Sequence, residues 1–287
     1  MKRFYWAIIA GIVMLSIYLP ADEKAKGYLF IIGGGSRSEQ MMKQYAALAK
    51  KNPHQKTVVF PMASGSPEET GQSMKEELTG LGLQEVEVHV LNKDQAGNPE
   101  NLAILDGVGS VYFTGGDQSL LTQALVDTPI QERLLEIYKN GGVIGGTSAG
   151  AAVMSELMIT GNEKTAGGEE GAFEKILADN IEVIPGLGFI KTAIIDQHFV
   201  ARKRHNRLIS LILEYPDLLG IGIDESTAII IKPGNTFKVI GEQNVIVYDA
   251  SEAGIKIWPD KGISGHNITM HILKPGDHFD LKTRSLI

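Results

Sequence analysis

The sequence predicts an α/β protein, with a doubly wound, mostly parallel sheet and an antiparallel C-terminal extension. In the first two thirds of the chain, short apolar runs alternate with helix-compatible segments of ten or more residues. Such an alternation requires right-handed strand-helix-strand crossovers, and therefore parallel strands. After residue 213, short apolar runs follow one another across Pro-Gly-Asn and Gly-Glu turns, which is typical of antiparallel hairpins.

The amino-terminal half begins with a strand at Tyr28–Ile32, which runs directly into three glycines at 33–35. The further strands predicted before residue 140 are 57–62, 86–91 and 109–113. The helices predicted between and after them are 36–51, 67–81 and 120–138. The later strands are 192–195, Leu219–Ile223, 228–231, 237–240, 245–248 and 270–273, with a helix at 201–213.

The most distinctive turn lies in the stretch 141–150, GGVIGGTSAG, where an apolar strand meets glycines and then a helix-compatible segment. Gly146, Ser148 and Gly150 form a G-x-S-x-G pattern. In a strand-turn-helix context this pattern is typical of a nucleophile elbow, which exposes a serine oxygen. Glycines leave space in so tight a turn and tolerate positive φ. The alternative is a Gly-rich turn with an incidental serine.

Loops that follow parallel strands lie at one edge of a sheet, where ligands bind. The loops 33–35, 63–65, 114–118 and 145–150 are therefore expected to lie along one edge. The strand 192–195 should end at the same edge, in Asp196, Gln197 and His198. A serine hydroxyl needs a base to take its proton. Of seven histidines, only His198 follows a predicted strand at this edge, so it is the candidate base.

Composition excludes several kinds of site. The 287 residues carry a formal charge of −7 with acids and bases interspersed, which argues against nucleic-acid binding. The absence of cysteine excludes disulfides, thiolate catalysis and cysteine-based zinc sites. No His-x-His or H-E-x-x-H occurs, so no metal is expected. The glycines at 33–35 lack G-x-G-x-x-G, so no dinucleotide cofactor is expected either; a tight turn near the active site is the better interpretation.

The amino terminus predicts export. Lys2 and Arg3 precede an apolar run at 4–19, which ends in Pro20 and Ala21. This order is typical of a signal peptide at 1–21. If the leader is not cleaved, residues 4–19 are expected to tether the protein to the membrane, although the run is at the short end for a span. No linker-like tract divides residues 22–287, so one domain is expected in a periplasmic or extracellular protein.

Four motifs together resemble the cyanophycinase and aspartyl dipeptidase family of serine peptidases. They are TGGDQ at 114–118, GGTSAGA at 145–151, DQHF at 196–199 and GIGIDE at 220–225, in the family's order. The resemblance implies a class I glutamine amidotransferase-like fold and a homodimer. It also implies Ser148 as nucleophile and His198 as general base and later general acid. The backbone N–H groups of Gly116 and Ala149 would form the oxyanion hole.

The third member of the triad is less clearly indicated. The family has an acidic residue a short way after the serine, so the resemblance implies Glu163. Glu169 and Glu170, in a Gly-rich loop, and Glu225, just past a predicted strand end, remain alternatives.

The arginines that follow DQHF resemble those of cyanophycinases within this family. Arginine binds carboxylates through two hydrogen bonds, and carboxylate or amide side chains can hold a guanidinium or an amide. The substrate-binding candidates are Gln118, Asp196, Gln197, Arg202, Arg204 and Arg207. A regular helix would not direct all three arginines into one pocket. The expected activity is hydrolysis of the β-linked Asp-Arg polymer cyanophycin to β-Asp-Arg dipeptides through an acyl-enzyme.

Three other functions remain open. One is an aspartyl or isoaspartyl dipeptidase. Another is an esterase of the α/β-hydrolase type, in which Asp224 and His271 would complete the order Ser, Asp, His. This alternative requires His271, and not His198, to be essential. The third is a binding protein without activity, against which the presence of Ser148, His198 and a nearby carboxylate argues.

Overall fold

The computed structural model describes residues 25–164 and 173–287. The predicted leader at 1–21 and the candidates Glu169 and Glu170 lie outside these residues. In the described part of the chain, no helix combines the length and the apolar character needed to cross a membrane.

The described residues form α-helices, one 3-10 helix and β-strands in alternation. The helices are α1 (Glu39–Ala49), α2 (Pro67–Gly80), α3 (Lys93–Gly97), α4 (Gln118–Leu125), α5 (Pro129–Lys139), α6 (Ala149–Ala152) and α7 (His205–Glu214), and the 3-10 helix is Pro99–Leu105. The strands up to the middle of the chain are β1 (Tyr28–Ile32), β2 (Lys56–Phe60), β3 (Glu85–Val88), β4 (Val108–Phe113), β5 (Val143–Thr147), β6 (Leu157–Glu163), β7 (Ile181–Pro185) and β8 (Ala193–Gln197). The later strands are β9 (Leu219–Ile223), β10 (Thr227–Lys232), β11 (Thr236–Gly241), β12 (Val245–Asp249), β13 (Gly254–Ile257), β14 (Ile263–His266), β15 (Thr269–Leu273), β16 (His278–Asp280) and β17 (Ser285–Leu286).

A nine-stranded sheet forms the centre of this mixed α/β fold, in the order β17-β16-β11-β10-β1-β5-β4-β2-β3. Strands β1, β5, β4, β2 and β3 are parallel, and β10, β11, β16 and β17 continue the sheet in antiparallel pairs. Both faces of β1 are buried: Leu29 and Ile31 pack in one hydrophobic cluster, and Phe30 and Ile32 in another. Burial on both faces explains why the central strands are continuous apolar runs.

Strand β8 does not belong to this central sheet, which corrects the expected arrangement. It pairs in parallel with β9 in a second sheet of order β15-β12-β9-β8. Both edges of β1 are already occupied, by β5 and β10, so the central sheet offers β8 no place there. The end of β8 still reaches the loop after β1, because the His198 N–H donates to the Gly33 carbonyl at 2.7 Å.

Two predicted helices differ from those observed. The helix expected at 120–138 is divided into α4 and α5, because Pro129 has no N–H to donate and begins a new helix instead. Asp127, with φ of 55°, lies in the break. The helix expected at 201–213 begins only at His205, after a turn in which Lys203 has φ of 54°. Arg202 and Arg204 therefore lie in or at the end of this turn, whereas Arg207 lies in the first turn of α7.

Candidate active site

Ser148 lies at a sharp turn between β5 and α6, with φ of 53° and ψ of −111°, a conformation that is costly for a residue other than glycine. The flanking glycines are required by close backbone contacts. A Cβ at Gly146 would lie 2.3 Å from the Gly150 oxygen, and one at Gly150 would lie 2.3 Å from the Phe113 oxygen. The Ser148 N–H donates to the Ile32 oxygen at 3.0 Å, which fastens the turn to the end of β1.

A hydrogen-bonded chain joins Ser148, His198 and Glu225. Ser148 Oγ lies 2.9 Å from His198 Nε2, and His198 Nδ1 lies 2.6 Å from Glu225 Oε1. A carboxylate can only accept, so Nδ1–H donates to Glu225 and leaves Nε2 to accept from the serine hydroxyl. The histidine side chain is 9% exposed and that of Glu225 is 38% exposed. This is the arrangement of nucleophile, base and orienting acid that serine hydrolases use.

Glu163 is not the partner of His198, which corrects the assignment that the resemblance implied. Its Oε1 accepts instead from Asn180 Nδ2 at 2.9 Å, at the loop end of the hairpin that β6 and β7 form. Glu225 occupies the position at His198 because β8 and β9 are parallel neighbours. Residues that follow two such strands lie side by side. The useful sequence signal was therefore the acidic end of the motif GIGIDE.

The glycines after β1 form a wall along the histidine and the glutamate. Gly34 has φ of 101°, and a Cβ there would lie 2.3 Å from His198 Nε2. Gly35 has φ of 68°, and its Cβ would lie 2.7 Å from that of Glu225. Only glycine allows both the positive φ and so close an approach. The space beside these glycines is thus filled by the triad side chains.

The surroundings of His198 favour its neutral form. Burial is the largest influence and lowers the pKa of the imidazole from its ordinary value of 6.5. The hydrogen bond and the charge of Glu225 raise the pKa, whereas the positive charges of Arg202 and Arg204 lower it further. Because the net direction is downward, the imidazole is neutral at pH 7 and can accept a proton at Nε2.

The loop before α4 lies against the nucleophile. A Cβ at Gly115 would lie 3.3 Å from that of Ser148, and one at Gly116 would lie 1.8 Å from the Ala63 oxygen, so neither site has room for a larger residue without rearrangement. Ala149 is the first residue of α6, and the first N–H groups of a helix have no acceptor within it. Gly116 and Ala149, the predicted oxyanion donors, therefore both lie in the immediate neighbourhood of Ser148.

Asp196 and Arg207 form a buried ion pair and are not available to a substrate, contrary to expectation. They are 1% exposed each. Arg207 Nε donates to Asp196 Oδ2 at 2.7 Å, and Nη2 donates to Oδ1. Asp196 Oδ1 also accepts the Gln197 N–H at 2.7 Å. Arg207 is a buried residue of the first turn of α7, and its guanidinium lies 4.9 Å from the centre of the Phe173 ring.

The other polar candidates differ in their availability. Gln197 Oε1 lies 3.4 Å from Ser148 Oγ, so the Gln197 side chain lies directly beside the nucleophile. Arg204 Nη1 donates to the Gln197 carbonyl at 2.7 Å. Burial, and then the charge of Arg207, lower the pKa of Arg204 to about 10, so it remains charged at pH 7. Arg202 is exposed, on the turn that precedes α7.

Gln118, also predicted to bind substrate, uses its amide nitrogen within the fold. Nε2 donates to the Ile159 and Thr160 carbonyls at 2.9 and 2.6 Å. These bonds connect the first residue of α4 with β6. Gln118 therefore positions the β6–β7 hairpin beside the loop that contains Gly116.

The alternative esterase triad is not assembled. His271 lies on β15, at the opposite edge of the second sheet from β8, and packs against the Phe279 ring at 5.1 Å. Asp224 Oδ1 accepts the N–H groups of Val200 and Ala201 at 3.1 and 2.9 Å. In residues 25–164 and 173–287, no group of three or more histidine or acidic side chains is arranged to hold a metal ion.

Comparisons with known proteins found relatives over most of the chain. The sequence model of Peptidase family S51 matches residues 29–240. The chain is 32% identical over 281 residues to the cyanophycinase of Trichormus variabilis, covering 95% of this chain and 91% of that protein. It is 33% identical over 234 residues to the cyanophycinase of Synechococcus elongatus, covering 79% and 70%. With the cyanophycinase of Geminocystis herdmanii the identity is 34% over 231 residues, covering 78% and 82%.

The fold has a counterpart among solved structures. A peptidase from an acI-B1 Actinobacterium superposes with a TM-score of 0.63 at 22% sequence identity, covering 90% of this chain and 98% of that one. At this identity the likeness concerns the fold alone.

Proposed function

The chain belongs to Peptidase family S51, and we propose that it is a serine peptidase of the cyanophycinase type. Its substrate would be the β-linked Asp-Arg polymer, which it would hydrolyse to β-Asp-Arg dipeptides through an acyl-enzyme. The observation that carries the proposal is the chain of contacts from Ser148 Oγ to His198 Nε2 at 2.9 Å and from His198 Nδ1 to Glu225 Oε1 at 2.6 Å. The curated relatives described above, all named cyanophycinase, support the choice of substrate.

In the first half of the reaction, Ser148 Oγ attacks the substrate carbonyl carbon while His198 Nε2 takes the hydroxyl proton. Negative charge then develops on the carbonyl oxygen. The amides of Gly116 and Ala149 are proposed to stabilise it, an effect of about 3–4 kcal/mol per donor in a comparable site. The imidazolium that forms is stabilised by the carboxylate of Glu225. The His198 imidazolium then gives its proton to the leaving amine as the scissile bond breaks.

In the second half, water attacks the acyl-enzyme. His198 accepts a proton from the water, and the tetrahedral intermediate collapses as the proton returns to Ser148 Oγ. Burial supports this role, because the lowered pKa keeps the imidazole able to accept a proton at neutral pH.

The arginines are assigned two different tasks in this proposal. Arg202 and Arg204, whose positive charges lower the pKa of His198, would attract carboxylates of the substrate. Arg207 would act indirectly, by holding Asp196 and thereby the Gln197 backbone at the nucleophile. We also propose, from the family resemblance, that two copies of the chain form a homodimer.

Export is proposed from the sequence of residues 1–21 alone. We also propose that residues 22–287 form one domain with a class I glutamine amidotransferase-like fold and an antiparallel C-terminal extension. An exported enzyme would act on polymer released from lysed cells. Fractionation of cells that express the full chain, followed by determination of the mature amino terminus, tests this part. Recovery of the full-length chain in the cytosolic fraction would contradict it.

The catalytic proposal is tested by incubating the purified protein with cyanophycin and, separately, with Asp-X dipeptides, and by identifying the products by mass spectrometry. Release of β-Asp-Arg from the polymer is expected. Ser148→Ala and His198→Ala should each abolish it, whereas His271→Ala should not. Cleavage of the dipeptides alone would identify an aspartyl dipeptidase instead, and retained activity in His198→Ala would refute the mechanism.

A further inference from the structure

The β6–β7 hairpin is fastened beside the nucleophile from two sides. On one side, Gln118 Nε2 donates to the Ile159 and Thr160 carbonyls, and Gln118 closes the loop whose Gly115 lies against Ser148. On the other side, Ile159 of β6 and Ile181 of β7 share a hydrophobic cluster with Phe199, the residue after His198. The hairpin thus bridges the two segments that flank the Ser148–His198 pair.

One carboxylate of this hairpin is held in a fixed orientation by two side chains of β6. Glu182 Oε2 accepts from Thr160 Oγ1 at 2.7 Å and from Asn162 Nδ2 at 2.8 Å. Ile181 and Val183, its neighbours on β7, contact the cluster that contains Phe199, so strand alternation places Glu182 on the opposite face. Ile184 and Met158 belong with a different cluster, the one that contains Leu121 of α4.

The hydrogen bonds from Asn162 and then from Thr160 lower the pKa of Glu182, so this group is ionised at neutral pH. Both bonds go to Oε2. Among residues 25–164 and 173–287, no hydrogen bond to Oε1 is found. A carboxylate aligned in this way is a suitable acceptor for a guanidinium, which donates strongly to carboxylate oxygens.

Charges of opposite sign are therefore carried by two segments: the turn after His198, and the hairpin that Gln118 fastens to the loop containing Gly115. The turn after His198 supplies Arg202 and Arg204, whereas the hairpin supplies Glu182. A chain of aspartate and arginine carries both a carboxylate and a guanidinium in each repeat. We propose that Glu182 binds the guanidinium group of a substrate arginine and is a specificity-determining residue of the site. This inference rests on the proposed Asp-Arg substrate.

The test compares a β-linked Asp-Arg oligomer with its Asp-citrulline counterpart, in which a neutral urea of similar shape replaces the guanidinium. Glu182→Gln keeps an oxygen that can accept from Thr160 and Asn162 but removes the charge. It is expected to lower kcat/KM for the arginine oligomer about tenfold, mainly through KM, since hydrogen bonds to charged groups are the stronger ones. Cleavage of the citrulline oligomer should change less than about twofold, a difference at the level of ordinary contact effects.

Two further variants make the test specific. Glu163→Gln removes the same charge from the same hairpin, at a carboxylate whose Oε1 accepts from Asn180, and should keep the preference for arginine. Glu182→Asp keeps the charge and should keep most of the preference, which covers the case in which Glu182→Gln does not fold. Thermal unfolding of each variant identifies a folding defect.

Each outcome has a defined meaning. Wild-type protein that cleaves no Asp-Arg chain refutes the proposed function and the role of Glu182 with it. An active wild type whose preference for arginine is unchanged in Glu182→Gln refutes the inference alone. An equal loss of preference in Glu163→Gln would assign the effect to the overall charge of the hairpin, and a complete loss in Glu182→Asp would assign it to structure; both results overturn the inference.

Discussion

Replacing Glu225 with glutamine removes the negative charge that faces His198 while it keeps the size of the side chain. Glu225 Oε1 lies 2.6 Å from His198 Nδ1, and the charge centres of the two groups are somewhat farther apart. At about 4 Å, opposite unit charges attract by about 4 kcal/mol for an effective dielectric constant of about 20. The glutamate side chain is 38% exposed, and doubling the dielectric constant for its contact with water gives about 2 kcal/mol.

This attraction exists only when His198 is protonated, as it is in the transition state, so its loss lowers the rate of the chemical step. A tenfold change in rate corresponds to about 1.4 kcal/mol, so kcat should fall between about 30-fold and about 1,000-fold. The amide oxygen that Glu225→Gln introduces can still accept from Nδ1–H, which limits the loss to the effect of the charge.

The assay measures kcat and KM for release of β-Asp-Arg from cyanophycin by the wild type, Glu225→Gln and Glu163→Gln. Glu163→Gln is the matched control, because its carboxylate contacts Asn180 and not His198. It should leave kcat within about twofold of wild type, as expected for a surface charge away from the chemistry. Full activity in Glu225→Gln together with a collapse in Glu163→Gln would refute the assignment of the acid.

The same geometry predicts a pH profile and the effects of two other substitutions. Because burial lowers the pKa of His198, the acid limb of the kcat/KM profile should have its midpoint below pH 6.5. Activity should be lost as the pH falls, because the imidazole is then protonated and cannot accept a proton. A midpoint above pH 6.5 would contradict the lowered pKa. Gly34→Ala should reduce kcat/KM by at least about 100-fold, because the added Cβ would lie 2.3 Å from His198 Nε2. Circular dichroism should show that the variant is folded. Near-normal activity would contradict the close contact between Gly34 and His198. Asp196→Ala should leave Arg207 buried without its partner and lower the free energy of unfolding by about 3–5 kcal/mol. The corresponding fall in Tm is about 6–20 °C, measurable by calorimetry, and an unchanged Tm would show that the pair does not stabilise the fold.

Elements with strong local signals were predicted closely. The strand Tyr28–Ile32 matches β1 because burial on both faces demands a continuous apolar run. The sharp turn at Ser148 was recognised from Gly146 and Gly150, since only glycine avoids the backbone contacts there. Pro129 also carried a local signal for the break between α4 and α5, which the prediction of one long helix overlooked.

Elements that depend on distant neighbours were predicted less well. Strand β8 was recognised, but its sheet was not, because sheet membership depends on which strand edges are already paired. The sequence predicts Arg207 at the substrate, but in the structure it is buried on α7 and bonded to Asp196 at the end of β8. Glu163 is implied by the family resemblance, which places the acid a short way after the serine, and a distance along the chain does not report which carboxylate meets the histidine in space.

The sequence by itself determined the alternation of strands and helices. It also indicated Ser148 as the candidate nucleophile and His198 as the histidine most favourably placed to act as its base. These follow from local patterns, in which side-chain periodicity and glycine tolerance act within a few residues. Only the tertiary structure decided that Glu225 completes the hydrogen-bonded chain and that Asp196 is buried against Arg207. Both results depend on the parallel pairing of β8 with β9 and on the start of α7, which bring together residues that are far apart in sequence.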